Sequence, residues 1–115
     1  MRLGKAASMI KGETVRIGCG AGTSDYRLEP ALELAEKGEI DYLVFECLAE
    51  RTIARENLAR SCDAELGYAP SLHERMPLVL PACVERNIRI VSNMGAANPA
   101  AGARGAPVRR RAWPA

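Results

Sequence analysis

Histidine is almost missing from this chain: there is one, His73, in 115 residues. The four cysteines, Cys19, Cys47, Cys62 and Cys83, form no C-x-x-C pair. A structural zinc site draws four such ligands from close spacings, so no metal is expected. No apolar run approaches the roughly 18 residues of a membrane-spanning helix. The start, Met1-Arg2-Leu3-Gly4-Lys5, leads into no long apolar stretch of the kind that marks a secretory signal. There is no internal repeat. A cytoplasmic chain with reduced thiols, not attached to a membrane, is the expectation.

What is present is the ordinary balance of a globular protein, with 48% hydrophobic and 26% charged residues. That is enough apolar matter for a core, so disorder does not describe the whole chain. The length suits one domain or a piece of a larger one. Charge is unevenly placed. Up to residue 103 the chain sums to −2, from 12 Lys and Arg against 14 Asp and Glu; from Arg104 onward four arginines and no acid sum to +4. The acidic body gives no reason to expect nucleic acid. The Arg109-Arg110-Arg111 run, with Trp113, reads as a solvated tail.

Along the chain, residues 1–13 read as a flexible leader. Val15-Arg16-Ile17-Gly18 predicts a strand running into the loop Gly18-Cys19-Gly20-Ala21-Gly22-Thr23-Ser24-Asp25. Residues 29–38 predict a helix: Pro30 suits its first turn, Glu29 and Glu33 its positive end, Lys37 its last turn and Gly38 its cap. Tyr42-Leu43-Val44-Phe45 is a continuous apolar run, as in a strand buried on both faces of a parallel sheet. Residues 49–62 follow helical spacing, with Ala49, Ile53, Ala54, Leu58 and Cys62 on one side. Residues 63–77 read as a loop with room for a helical turn, and 78–87 as a helix that turns Leu80, Cys83 and Val84 inward. Ile88-Arg89-Ile90-Val91 predicts a third strand before the small-residue loop 92–99. This alternation predicts an α/β fold: a three-layer, Rossmann-like parallel sheet, incomplete at about three strands with flanking helices. The body is expected over 14–102. Residues 103–115, rich in Pro, Gly and Arg, have no helical or strand period and read as a disordered basic tail. The chain therefore reads as a fragment or a prematurely ended product, poorly soluble because an unpaired sheet edge invites self-association.

Three segments carry a resemblance: Arg16-Ile17-Gly18-Cys19-Gly20-Ala21-Gly22, Asp41 to Glu50 (DYLVFECLAE), and Arg89 to Pro99 (RIVSNMGAANP). With the Leu66-Gly67-Tyr68-Ala69 turn they resemble the amino-terminal portion of the acyclic terpene utilisation, AtuA-like, family, over roughly residues 14–102. The resemblance implies a role in bacterial catabolism of acyclic terpenes such as citronellol and geraniol, beside enzymes that act on acyl-CoA intermediates. It implies a small-molecule or acyl-CoA ligand as partner, and the remaining AtuA-like domain or self-association. Members of the family run to several hundred residues, so the ending after Gly102 resembles a frameshift in a GC-rich gene.

In an open parallel sheet, ligands bind beyond the carboxyl ends of the strands. That places the loops 18–25, 46–50 and 92–99 on one edge and predicts a ligand site of Gly20, Gly22, Thr23, Asp25, Glu46, Asn93, Gly95 and Asn98. The glycine loop departs from the dinucleotide fingerprint, because Thr23 stands where the third glycine would fall. An NAD-type loop, a generic anion or substrate loop and a purely structural turn all stay open. Glu46 is either a ligand-facing carboxylate or a partner of Arg51 or of the next helix start. Asn93 either contacts a ligand or stabilises its own turn, and Asn98 reads as a helix cap before Pro99. Cys19 and His73 would make a thiol–imidazole pair only if the fold joined them. Cys47, Cys62 and Cys83 read as core filling. No cofactor and no catalytic residue is assigned.

Overall fold

The computed structural model describes residues 13–21 and 27–105. Gly22, Thr23 and Asp25, the leader up to residue 12 and the tail beyond 105 lie outside these described residues. The chain runs β1 (Ile17–Cys19), α1 (Glu29–Lys37), β2 (Tyr42–Phe45), α2 (Glu50–Cys62), α3 (Leu72–Glu85), β3 (Arg89–Ser92) and α4 (Pro99–Gly105). The three strands pair in the order β1-β2-β3, all parallel. The expected α/β class and parallel sheet are what the protein forms.

Both crossovers step the same way across the sheet. Right-handed connections then leave their helices on one face. Register and pleat show which residues meet them: Gly18, Leu43 and Ile90 align across the sheet, as do Phe45 and Ser92. Leu43 and Phe45 are fully buried against Ala31 and Ala35 of α1 and Leu72, Met76, Val79 and Cys83 of α3. The alternate positions form the other face. There Ile17 is 64% and Val91 52% exposed, and Cys19 is exposed as well. The described residues thus build two of the three expected layers, because the third would need a crossover in the reverse direction.

An apolar sheet face left in water favours association. The double variant Ile17→Lys with Val91→Lys is expected to lower concentration-dependent self-association in sedimentation velocity. Its stability should stay within about 0.5 kcal/mol, as for other exposed positions. Undiminished association in the folded variant would show that this face takes no part.

Helix α1 begins with Pro30 in its first turn and ends at Gly38, whose N–H donates to Leu34 O (2.8 Å). A side chain at position 38 would run into that same carbonyl. Helix α3 starts at Leu72, inside the expected loop, and carries Pro77 and Pro81 in its interior. Each proline removes one i→i−4 bond. Both lie on the exposed side, where water can satisfy the freed carbonyls, while the 72-76-79-83 stripe packs on the sheet. Burial of that stripe outweighs the two lost bonds. Val84, expected inward, is exposed, and Leu80 is half-buried.

The apolar stripe expected of α2 is not its buried side. Leu58 is 67% exposed and Cys62 is exposed, whereas Glu56 is buried. The helix meets the 63–68 turn rather than the sheet. Gly67, at φ +108°, comes so close that a Cβ there would lie 2.8 Å from Arg60 Cβ. Contact is made through backbone and helix stems, and Glu56 Oε1 pairs with Arg55 Nε (2.9 Å). Of the three cysteines expected in the core, Cys83 is fully buried, Cys47 is half-buried against the core and Cys62 lies outside it. Burial pushes the Cys83 thiol up to about 11.

Past β3 the chain does not dissolve at residue 102. Helix α4 continues to Gly105 with Ala101 and Gly102 buried. Its small residues let it lie on Tyr68: a Cβ on Gly102 would sit 3.3 Å from the Tyr68 Cβ.

Candidate functional site

Parallel pairing aligns Cys19 with Val44 and Phe45 with Ser92. The carboxyl ends of all three strands therefore leave one edge of the sheet, and Gly20, Glu46 and Asn93 begin the three bends there.

Two of the bends are laced together. The Asn93 amide donates from Nδ2 to Glu46 Oε1 (2.9 Å) and accepts the Cys47 N–H at Oδ1 (2.8 Å). Glu46 Oε1 also accepts the Leu48 N–H (3.0 Å). Ser92 adds to the lacing, donating from its hydroxyl to Phe45 O (3.2 Å) and accepting the Met94 N–H (3.0 Å). The partners of Glu46 are thus Asn93 and Leu48, in place of Arg51 or the first turn of α2. The Asn93 hydrogen bond, and then that from Leu48, hold the Glu46 carboxyl below its ordinary value of 4.5.

A carboxylate held ionised is a good acceptor of a hydrogen bond and a poor proton shuttle near neutral pH. Among the described residues its second oxygen, Oε2, takes no hydrogen bond, and the side chain is exposed at the rim. Since the folded form favours the ionised group, its contribution to stability is present above 4.5 and fades as pH falls below it. Side-chain carbon NMR is expected to place Glu46 below 4.5, and Asn93→Ala to move it back up. Equal titration in both proteins would dismiss the Asn93 contact.

Gly20 is buried beside the aromatic ring of the central strand. A Cβ there would lie 2.5 Å from Phe45 Cε1, so packing alone demands glycine. Its N–H continues the ladder by donating to Val44 O (2.7 Å). Gly95 allows the turn from β3 into α4, since a Cβ would lie 2.8 Å from Pro99 Cα. Asn98 is buried and fully engaged. Its Nδ2 donates to Ala64 O and Leu66 O (2.8 Å each), and its Oδ1 accepts the Ala101 N–H (3.4 Å). It caps α4 as expected and also ties that helix to the turn after α2. The structure therefore brings Gly20, Glu46, Asn93 and Gly95 to the rim, and turns the Asn98 amide toward the 64–66 turn.

Cys19 and His73 do not form a pair. Alternation along β1 puts Cys19 on the open face with Ile17, away from α3, and His73 Nε2 instead meets Tyr68 Oη (2.8 Å). Among the described residues, no three His, Cys, Asp or Glu side chains converge to hold a metal. None of the described helices is long and apolar enough to cross a membrane.

One residue near the rim escaped the sequence reading. Arg75 of α3 is 1% exposed, and its guanidinium lies 5.5 Å from the centre of the Phe45 ring. The attraction of a cation to a ring face, strengthened by low dielectric, supports it there. The signal was its spacing: position 75 falls within the buried 72-76-79-83 stripe, visible only once 71–77 is read as helix.

No curated protein and no solved structure matches the chain. The model of the acyclic terpene utilisation family protein AtuA matches residues 15–108, a span that holds every strand and helix described above, and the chain belongs to that family.

Proposed function

We propose that this chain contributes to acyclic terpene catabolism by binding an acyl or acyl-CoA intermediate along the carboxyl rim of its sheet. The observation that carries the reading is the Glu46–Asn93 pair, which locks an ionised carboxylate where two parallel strands end. In this reading Glu46 accepts a hydrogen bond from the ligand, and Asn93 orients Glu46 while its own amide stays engaged. Gly20 and Gly95 allow the bends. The low proton affinity of Glu46 favours binding over acid–base chemistry, so a non-catalytic binding or assembly subunit fits the same geometry. All four cysteines are free, which supports a reducing, cytoplasmic setting.

The test is a titration of the 115-residue chain with a methyl-branched ten-carbon acyl-CoA thioester, followed by amide chemical shifts. Shifts confined to 20–21, 46–48 and 92–95 are expected. Glu46→Gln should weaken binding about tenfold, as for the loss of one charge-assisted hydrogen bond. Thioester recovered unchanged would select the binding subunit. Shifts elsewhere, or equal affinity in the variant, would remove the rim from consideration.

A further inference from the structure

β3 is an outer strand of the sheet. The N–H groups of Arg89 and Asn93 donate inward, to Asp41 O (3.0 Å) and Phe45 O (3.4 Å). Peptide groups along a strand alternate in direction, so those of Ile90 and Ser92 point away from β2. Among the described residues no further strand meets them. Such an edge is a template for one more strand.

The side chains of the same two residues face the helical side and line a cavity of about 350 Å3 between α3, β3 and α4. Leu72, Met76 and Leu80 of α3 and Met94 supply much of the rest of its wall, and no charged side chain lines it. A strand added at the edge would turn every second side chain into this space, beside Ile90 and Ser92. A charge there would lose its water without a replacement partner. An aliphatic side chain gains by burial, and the two thioethers can close around different shapes. On the other face the added strand would run beside Arg89 and Val91, where an acid opposite Arg89 is favoured.

Segments of this chain fit the place poorly. Of its strands, a second copy could pair only β1 or β3. β1 would turn Gly18 and Gly20 toward the cavity and leave it unfilled, and β3 would bring Ser92, whose hydroxyl is already engaged. The run Arg109-Arg110-Arg111, laid there as a strand, would turn at least one guanidinium onto the uncharged wall.

We propose that the outer edge of β3 takes up an extended segment of a partner protein, apolar at every second position and acidic between, as a fourth strand. This docking does not depend on a ligand at the rim.

The probe is the peptide acetyl-Thr-Val-Glu-Val-Thr-Val-amide, titrated into the 115-residue chain and followed by amide shifts and hydrogen exchange. Saturable shifts at 89–92 are expected, with slower exchange of the Ile90 and Ser92 amides. Serine in place of the three valines should weaken binding at least tenfold. Methyl groups on the peptide's backbone nitrogens at the valines alone, or at the threonines and glutamate alone, each block one strand direction. One of those two peptides should therefore fail to bind. Ala103→Glu, at an exposed position on the cavity wall, should weaken binding by a similar factor; Leu80→Glu serves if the first variant does not fold. Binding that survives both sets of methyl groups, or shifts that avoid β3, would overturn the proposal. So would Ile90 and Ser92 amides that exchange slowly without peptide and lose that protection on dilution, since a second copy would then hold the edge.

Discussion

Phe45→Ala is expected to abolish the folded state. Phe45 is the sole phenylalanine, is fully buried and ends the central strand. Its ring fills the space that Gly20 leaves open and offers its face to the buried guanidinium of Arg75. Truncating a buried phenylalanine costs about 3–5 kcal/mol through lost transfer energy and the cavity left behind. A small domain has on the order of 5–10 kcal/mol in total, and here a buried cation would also lose its aromatic partner. Urea denaturation followed by circular dichroism should show no cooperative transition for the alanine variant. Phe45→Leu, which keeps most of the volume, should retain one with a lower midpoint. A wild-type midpoint for Phe45→Ala would refute this account of the core.

The second large effect is expected at Asn98. Its Nδ2 serves two carbonyls lying 34 and 32 residues earlier in the chain, and its Oδ1 caps α4. Asn98→Ala leaves two carbonyls without a donor and removes the cap, together about 2–4 kcal/mol. Asn98→Asp preserves shape and cap but turns a carboxylate oxygen toward both carbonyls, so it should be the worse of the two. Amide hydrogen exchange separates local from global loss. Protection at Ala101 and Gly102 is expected to fall by roughly a hundredfold even where the sheet remains intact. Unchanged exchange there would mean that α4 is held by something else.

The rim differs from these sites in what holds it. Glu46 and Asn93 are 47 residues apart in the chain, and both are exposed or half-buried. Their contact depends on the register of β2 with β3, so substitutions in either strand are expected to reach the rim through that register. The open sheet face presents the converse case. Its exposed Ile17 and Val91 share the strands that carry the rim, so whatever covers that face would sit one layer away from the proposed ligand.

Local physics accounts for what could be read in advance. The run Tyr42–Phe45 is apolar throughout, which a buried strand requires, and α1 is bracketed by a proline and a glycine that suit its two ends. Alternating strands and helices, with connections too long for hairpins, leave parallel pairing as the economical solution, and parallel pairing puts the three carboxyl ends on one edge. Sequence patterning fails where packing partners are distant or atypical. Pro77 and Pro81 hide α3 because their cost is local, whereas the burial that repays it comes from Leu43 and Phe45 on the sheet and from Ile88 just before β3. The apparent stripe of α2 misleads because that helix meets a close-packed backbone turn instead of an apolar layer. Arg75 lies in a core position no composition would assign to it. The direction of the strands, and the edge they share, follow from residue periods and turn chemistry along the chain. Which face is covered, whose amide holds Glu46 and whether a cavity opens beside it arise only when segments tens of residues apart meet, since hydrogen bonds and close packing act over a few ångströms and record nothing of separation along the chain.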